Sequence, residues 1–134
     1  MDITPVRLAL ADNLSAISGI QVSAYMLPNP TPPTVHIYPA EIQYDLAMDR
    51  GMDLFYLTVQ ALSGSPDDRA AQQNLDAYLS GDGEQSFKAA IEADRTLGGS
   101  CDDLIVESMS GYRLYSFQDR APALGAEWRV RIIG

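Results

Sequence analysis

The sequence is poor in the residues that hold metals or attack substrates: 134 residues include one cysteine and one histidine. Cys101 can form no intramolecular disulfide, and with His36 it gives only two of the nitrogen and sulfur ligands a structural zinc needs. A reducing compartment suits such a chain. Lysine is nearly missing as well, since Lys88 stands alone beside eight arginines, and 18 acidic residues set the formal charge at −9. Gripping nucleic-acid phosphate or anionic lipid, which needs clustered Lys and Arg, is therefore excluded as the main task. No run approaches the ~20 apolar residues of a membrane span. Met1 to Arg7 has no basic segment leading into an apolar one, so neither a signal peptide nor membrane attachment is expected.

What is present suits one domain over residues 1–134, with 46% hydrophobic residues as core material. Thr4-Pro5 reads as the N-cap and first residue of a helix, with Ile3 and Leu8 as a hydrophobic staple. Its buried stripe would be Ile3, Val6, Leu10, Leu14 and Ile17, with Gly19 closing it. Gln21 to Leu27 predicts a strand, and after the proline-rich link 28–33 a short strand runs from Thr34 to Tyr38. Residues 40–53 mix charge with Ile42, Tyr44, Leu46, Met48 and Met52, and read as a projecting β-arm or loop. Leu54 to Leu62 is apolar on both faces and should be a central strand. Ser65-Pro66-Asp67-Asp68 signals the start of a second helix ending at Gly81, and Glu84 to Arg95 predicts a third. Strands return at Leu104–Met109 and Tyr112–Phe117, around an expected Ser110-Gly111 turn, and at Leu124–Ile133 after a break at Pro122. The reading is α+β: a mixed, largely antiparallel sheet with an N-terminal helix and a central helix pair packed on one face.

No residue pattern points to catalysis. His36 reads as a surface or packing residue, and no Ser or Cys near it has the context of a nucleophile. Cys101 precedes Asp102-Asp103, a setting that raises a thiol pKa. Asp45, Asp49 and Asp53 recur every four residues, but they match no calcium loop and read as a solvated arm. Asp67-Asp68 reads as first-turn acids favoured by the helix dipole. No cofactor or metal is expected. The arginine-rich basic side suits protein contacts, because a guanidinium makes planar, bidentate, weakly hydrated contacts. Tyr44, Met48 and Met52 either fold back on the core or form a contact surface.

The run Ser86 to Gly99 (SFKAAIEADRTLGG), followed by Asp102-Asp103-Leu104-Ile105-Val106, resembles the tail terminator, or tail completion, proteins of long-tailed (siphovirus-type) bacteriophages. The resemblance extends over nearly the whole chain, through the first helix, the proline-rich link, the arm with Arg50-Gly51, the strand Phe55–Leu62, the helix Asp68–Leu79 and the closing hairpin Tyr112–Ile132. Its specific parts are Asp68–Leu79 and Lys88–Gly99. It implies a mixed sheet with helices on one face and a homo-oligomeric ring, usually hexameric, that catalyses nothing. Such a ring caps the head-proximal end of the tail tube, stops tube polymerisation and joins the tail to the neck or connector. Its implied partners are the tail tube protein, the neck or connector protein and genomic DNA passing through the lumen without specific binding. Its place is the virion, after assembly in the host cytoplasm.

An acidic chain fits a lumen through which DNA must slide. Ring closure needs a heterologous contact, and the arm is a means of making one. The candidate subunit interface is Glu41, Tyr44, Asp45, Met48, Asp49, Arg50 and Met52 in the arm, with Arg129 and Arg131 on the last strand. Charge is distributed unevenly: Asp67 to Asp103 holds nine acids against three bases, whereas from Arg113 onward four arginines face two acids. Two other readings compete. One is a neck or head-closure protein of the same joint. The other is a small cytoplasmic metal- or ligand-binding domain using Asp45, Asp49 and His36.

Overall fold

The computed structural model describes residues 1–45, 51–65, 67–117 and 120–134. Its elements are α1 (Ile3–Leu14), β1 (Gln21–Ser23), β2 (Thr34–Gln43), β3 (Leu54–Gly64), α2 (Arg69–Leu79), α3 (Phe87–Ile91), β4 (Asp103–Phe117) and β5 (Arg120–Ile133). The strands form one sheet in the order β1-β2-β3-β5-β4; β1 runs parallel to β2 and every other pair is antiparallel. This is the expected α+β architecture.

β3 is the middle strand of the sheet, between β2 and β5, and its two faces differ. Phe55, Leu57, Val59 and Ala61 are buried, and Tyr56, Thr58 and Gln60 on the other face are half-buried. β5 follows the alternation that its sequence announces, burying Leu124, Ala126, Trp128, Val130 and Ile132 on the side of the helices. α1 adds Val6, Leu10 and Leu14, spaced four apart on one helical face, and Ile17 just beyond it. α2 adds Ala71, Leu75 and Tyr78, and α3 adds Phe87, Ala90 and Ile91. These side chains join one core on one face of the sheet. At its centre Phe87 lies between Tyr78 and Trp128, with ring centroids 4.9 and 4.4 Å away.

Several local signals resolve differently from their sequence reading. α1 begins at Ile3 with Asp2 in the extended N-cap position, so Pro5 falls third in the helix, where its missing N–H has no intrahelical partner to lose. Leu8, expected to staple to Ile3, is exposed. α1 ends at Leu14, and Gly19, at φ 78°, lies in the turns beyond it. Asp68 caps α2 by accepting the Ala70 N–H at 2.9 Å; Ser65 instead closes the preceding turn by accepting from the Asp67 N–H at 3.3 Å. α3 spans only five of the twelve residues expected of it. Past Ile91 the Asp94 carboxylate takes the N–H groups of Thr96 and Gly98, at 3.2 and 2.8 Å, and folds the chain into turns.

β1 stops at Ser23, short of the expected Leu27, whereas β2 continues to Gln43. The expected arm over 40–53 therefore begins as sheet, with Glu41, Ile42 and Gln43 paired to Tyr56, Phe55 and Leu54. Ser110-Gly111 is not a hairpin turn. β4 runs through it, and Gly111, at φ 67°, sits where the pairing with β5 shifts between Ser110 and Arg113, as an inserted bulge does. Pro122 does not break β5 either. The β5 pairing with β3 ends at Leu124, so Pro122 lies where β5 has a neighbour on one side only and a missing N–H is tolerated.

Candidate subunit interface

Glu41, on β2, and Arg129, on β5, come together on the sheet face that no helix covers. The Arg129 guanidinium lies 3.6 Å from the Glu41 carboxylate and 3.3 Å from that of Glu107, and it stacks 3.9 Å from the centroid of Tyr56. Arg131 is exposed one step along, in register with Tyr56. Tyr44 is 68% exposed just past the end of β2. The Asp45 N–H donates to Asp53 at 3.3 Å, a local turn contact rather than a shared helical face. Met52 is half-buried. Met48, Asp49 and Arg50 lie outside the described residues, so the structure joins part of the expected set into one charged cluster on the bare face of the sheet.

A second polar system crosses the same face. His36 is buried, accepts the Leu27 N–H at Nδ1 (2.9 Å) and donates from Nε2 to the Gln60 side chain (2.6 Å). Gln60 and Tyr38 both donate to the Glu127 carboxylate, at 3.1 and 3.4 Å. Burial, with the neighbouring Glu127 charge, pushes the Tyr38 hydroxyl up to about 12. Burial likewise raises Tyr115, whose hydroxyl donates to the Gly111 carbonyl at 2.7 Å. Cys101 behaves as its acidic context predicts: burial, then Asp103, Asp102 and Asp94, lift the thiol to about 11. Its sulfur contacts the Arg95 carbonyl at 3.5 Å. His36 and Cys101 thus serve as parts of the packing, each with a backbone partner.

The open edges of the sheet are blunted by side chains. On β4 the Val106 N–H donates to Glu92 at 2.9 Å, and Glu92 is held by Lys88 at 2.6 Å. Burial would raise the Glu92 pKa, but Lys88 and the Val106 N–H outweigh it and hold the carboxyl below its usual range. Farther along, β4 shifts register against β5 three times. At the opposite edge Arg7 donates to the carbonyls of Ala24 (2.8 Å) and Ile37 (2.9 Å), beyond which come Pro39 and a bulge at Ala40. These devices oppose strand-to-strand addition at the sheet edges.

Exposed apolar side chains gather at the same two edges. Among the described residues eight large ones are exposed, and all but Tyr44 divide between opposite sides of the sheet. Leu8, Tyr25 and Met26 lie on α1 and just after β1; Ile105, Met109, Tyr112 and Leu114 lie along β4. The sequence hid the second set, because a turn at Ser110-Gly111 would have divided β4 in two. It hid the first set by assigning Tyr25 and Met26 to a strand. The clue available was the recurrence of β-branched, aromatic and other apolar residues on both sides of Ser110-Gly111, from Ile105-Val106 to Phe117.

Among the described residues, no group of three His, Cys, Asp or Glu side chains is placed to hold a metal ion, and no helix is long and apolar enough to cross a membrane. No protein-family model matches the sequence, and no curated protein matches it.

Proposed function

We propose that this chain is a ring-forming structural subunit of a long-tailed phage tail: the terminator that caps the head-proximal end of the tail tube and joins it to the neck. The observation that carries the reading is the placement of exposed apolar side chains at two opposite edges of one sheet. Two unlike patches on opposite sides suit a heterologous contact, and such contacts repeat from copy to copy and form a ring where the rotation between copies closes. The resemblance of Lys88–Gly99 and Asp68–Leu79 to tail terminators supplies the biological setting. The chemistry agrees with it, because a chain at −9 repels DNA phosphate and lets a duplex slide through a lumen. The protein acts by occupying a surface and carries out no reaction.

Electron microscopy of the purified chain mixed with tail tubes tests the reading. A ring at one end of each tube, with no further tube growth, is expected. No ring at any tube end would overturn the assignment, and in a map of the whole particle, density at the capsid connector without contact to the last tube ring would move the protein to the neck side of the joint.

A further inference from the structure

The loop that follows β1 is unusually well braced for a segment with exposed apolar side chains. Ser23 Oγ donates to the Tyr25 carbonyl at 2.7 Å and accepts the Tyr25 N–H at 3.2 Å, closing a tight turn. The Arg7 guanidinium lies 4.5 Å from the Tyr25 ring centroid while donating to the Ala24 carbonyl. His36 fixes the next residue but one by accepting the Leu27 N–H. Backbone and ring are held in place, yet Met26 is 57% exposed. A knob ordered before contact loses little conformational freedom on binding.

Apart from the Arg7 guanidinium against Tyr25, the stretch that carries the knob is uncharged. From Asn13 to Ala40 there is no Asp, Glu, Lys or Arg, in a chain with 27 such residues among 134. Copies of a molecule at −9 repel one another, so this stretch is where a second copy meets the least opposition. At the opposite edge a groove of about 220 Å³ lies between α2 and β4, lined by Leu79, Lys88, Val106, Glu107, Met109 and Trp128. Lys88 is already neutralised by Glu92, and Ser108 to Tyr112 carries no charge. Methionine on both sides suits such a contact, because its unbranched thioether adapts to an irregular surface.

We propose that the Tyr25–Met26 turn of one copy seats in the groove beside β4 of the next. The proposal rests on the ring reading, and it names the two surfaces that make the ring contact. Each copy offers a knob at one edge and a groove at the other, so the contact is heterologous.

Cysteine cross-linking tests it. A chain carrying both Met26→Cys and Met109→Cys, oxidised at concentrations where light scattering reports assembly, should give a ladder of multiples ending in one closed species. Either single variant should give no ladder, and buried Cys101 stays silent in the unsubstituted protein. Met26→Asp and Met109→Asp should each weaken assembly at least tenfold with an unchanged circular dichroism spectrum. Dimers from Met109→Cys alone would mean a two-fold contact and would overturn the proposal. Rings that form without the ladder would overturn the knob-in-groove contact while sparing the ring reading. A protein that stays monomeric at every concentration and on tube ends would overturn both.

Discussion

Two stretches of the same sheet face meet different fates. Leu104, Val130 and Trp128 lie under the helices and are buried, with Trp128 stacked on Phe87. Farther along the β4–β5 hairpin, Met109 and Leu114 occupy the same side, as their pairing opposite Trp128 and Leu124 requires, and they are exposed. The strands do not change character between these stretches. The cover does: Leu79 of α2 and Lys88 of α3 line a groove with Val106, Met109 and Trp128, and Leu114 lies outside it. An apolar face continued past its helices is the kind of surface that contacts between molecules use, so the hairpin is the part of this face that the chain's own helices leave open.

The comparison breaks most sharply at Phe87. Replacing it with alanine removes a fully buried ring from between Tyr78 and Trp128, and should cost about 3–5 kcal/mol. A urea titration would read this as a lower midpoint with an unchanged slope. A loss below about 1 kcal/mol would mean that the helices contribute little and that the two stretches differ less than their burial implies.

Glu92 marks the boundary between the stretches, since its carboxylate ties α3 to the edge of β4. Glu92→Gln keeps an acceptor for Val106 but gives up the ion pair with Lys88, at about 1 kcal/mol. The sign with pH follows from the lowered pKa. A carboxylate more acidic in the folded chain contributes stability that is present above its ordinary value of 4.5 and is lost as pH falls through the folded value. The gap between wild type and Glu92→Gln, measured by denaturation, should therefore close on acidification. An equal gap at neutral pH and well below 4.5 would remove the ionic part of the argument.

How far the sequence announces these features depends on whether the deciding interaction is local. The alternation in Leu54–Leu62 and Leu124–Ile133 is a property of each strand, and both strands take the predicted faces. The length of α3 is not local in the same sense. Asp94 competes for N–H groups that a helix would use, and Glu92 turns to a strand fourteen residues away. Ser110-Gly111 carries a genuine turn signal, but pairing with β5 on the far side absorbs it as a bulge. Of the candidate interface residues, Arg129 was legible as a charged position on a strand face, whereas Glu41 was read as part of the arm; the two meet because β2 continues to Gln43. Tyr25 and Met109 were not legible, because β1 stops short of Tyr25 and β4 runs on through the expected turn at Ser110-Gly111.

The smallest effect on the fold should come from Leu114. It lies opposite buried Leu124, so a sequence pattern would class the two alike, yet Leu114 is 48% exposed. A side chain that keeps half its surface in water gives up little transfer free energy when removed, and Leu114→Ser should shift monomer stability by no more than about 0.5 kcal/mol. The same change should weaken assembly, measured by light scattering, if the hairpin face is covered by another copy. A Leu114→Ser chain that loses several kcal/mol without any effect on assembly would make Leu114 part of the core, and the hairpin would then be an extension of the covered half of the sheet.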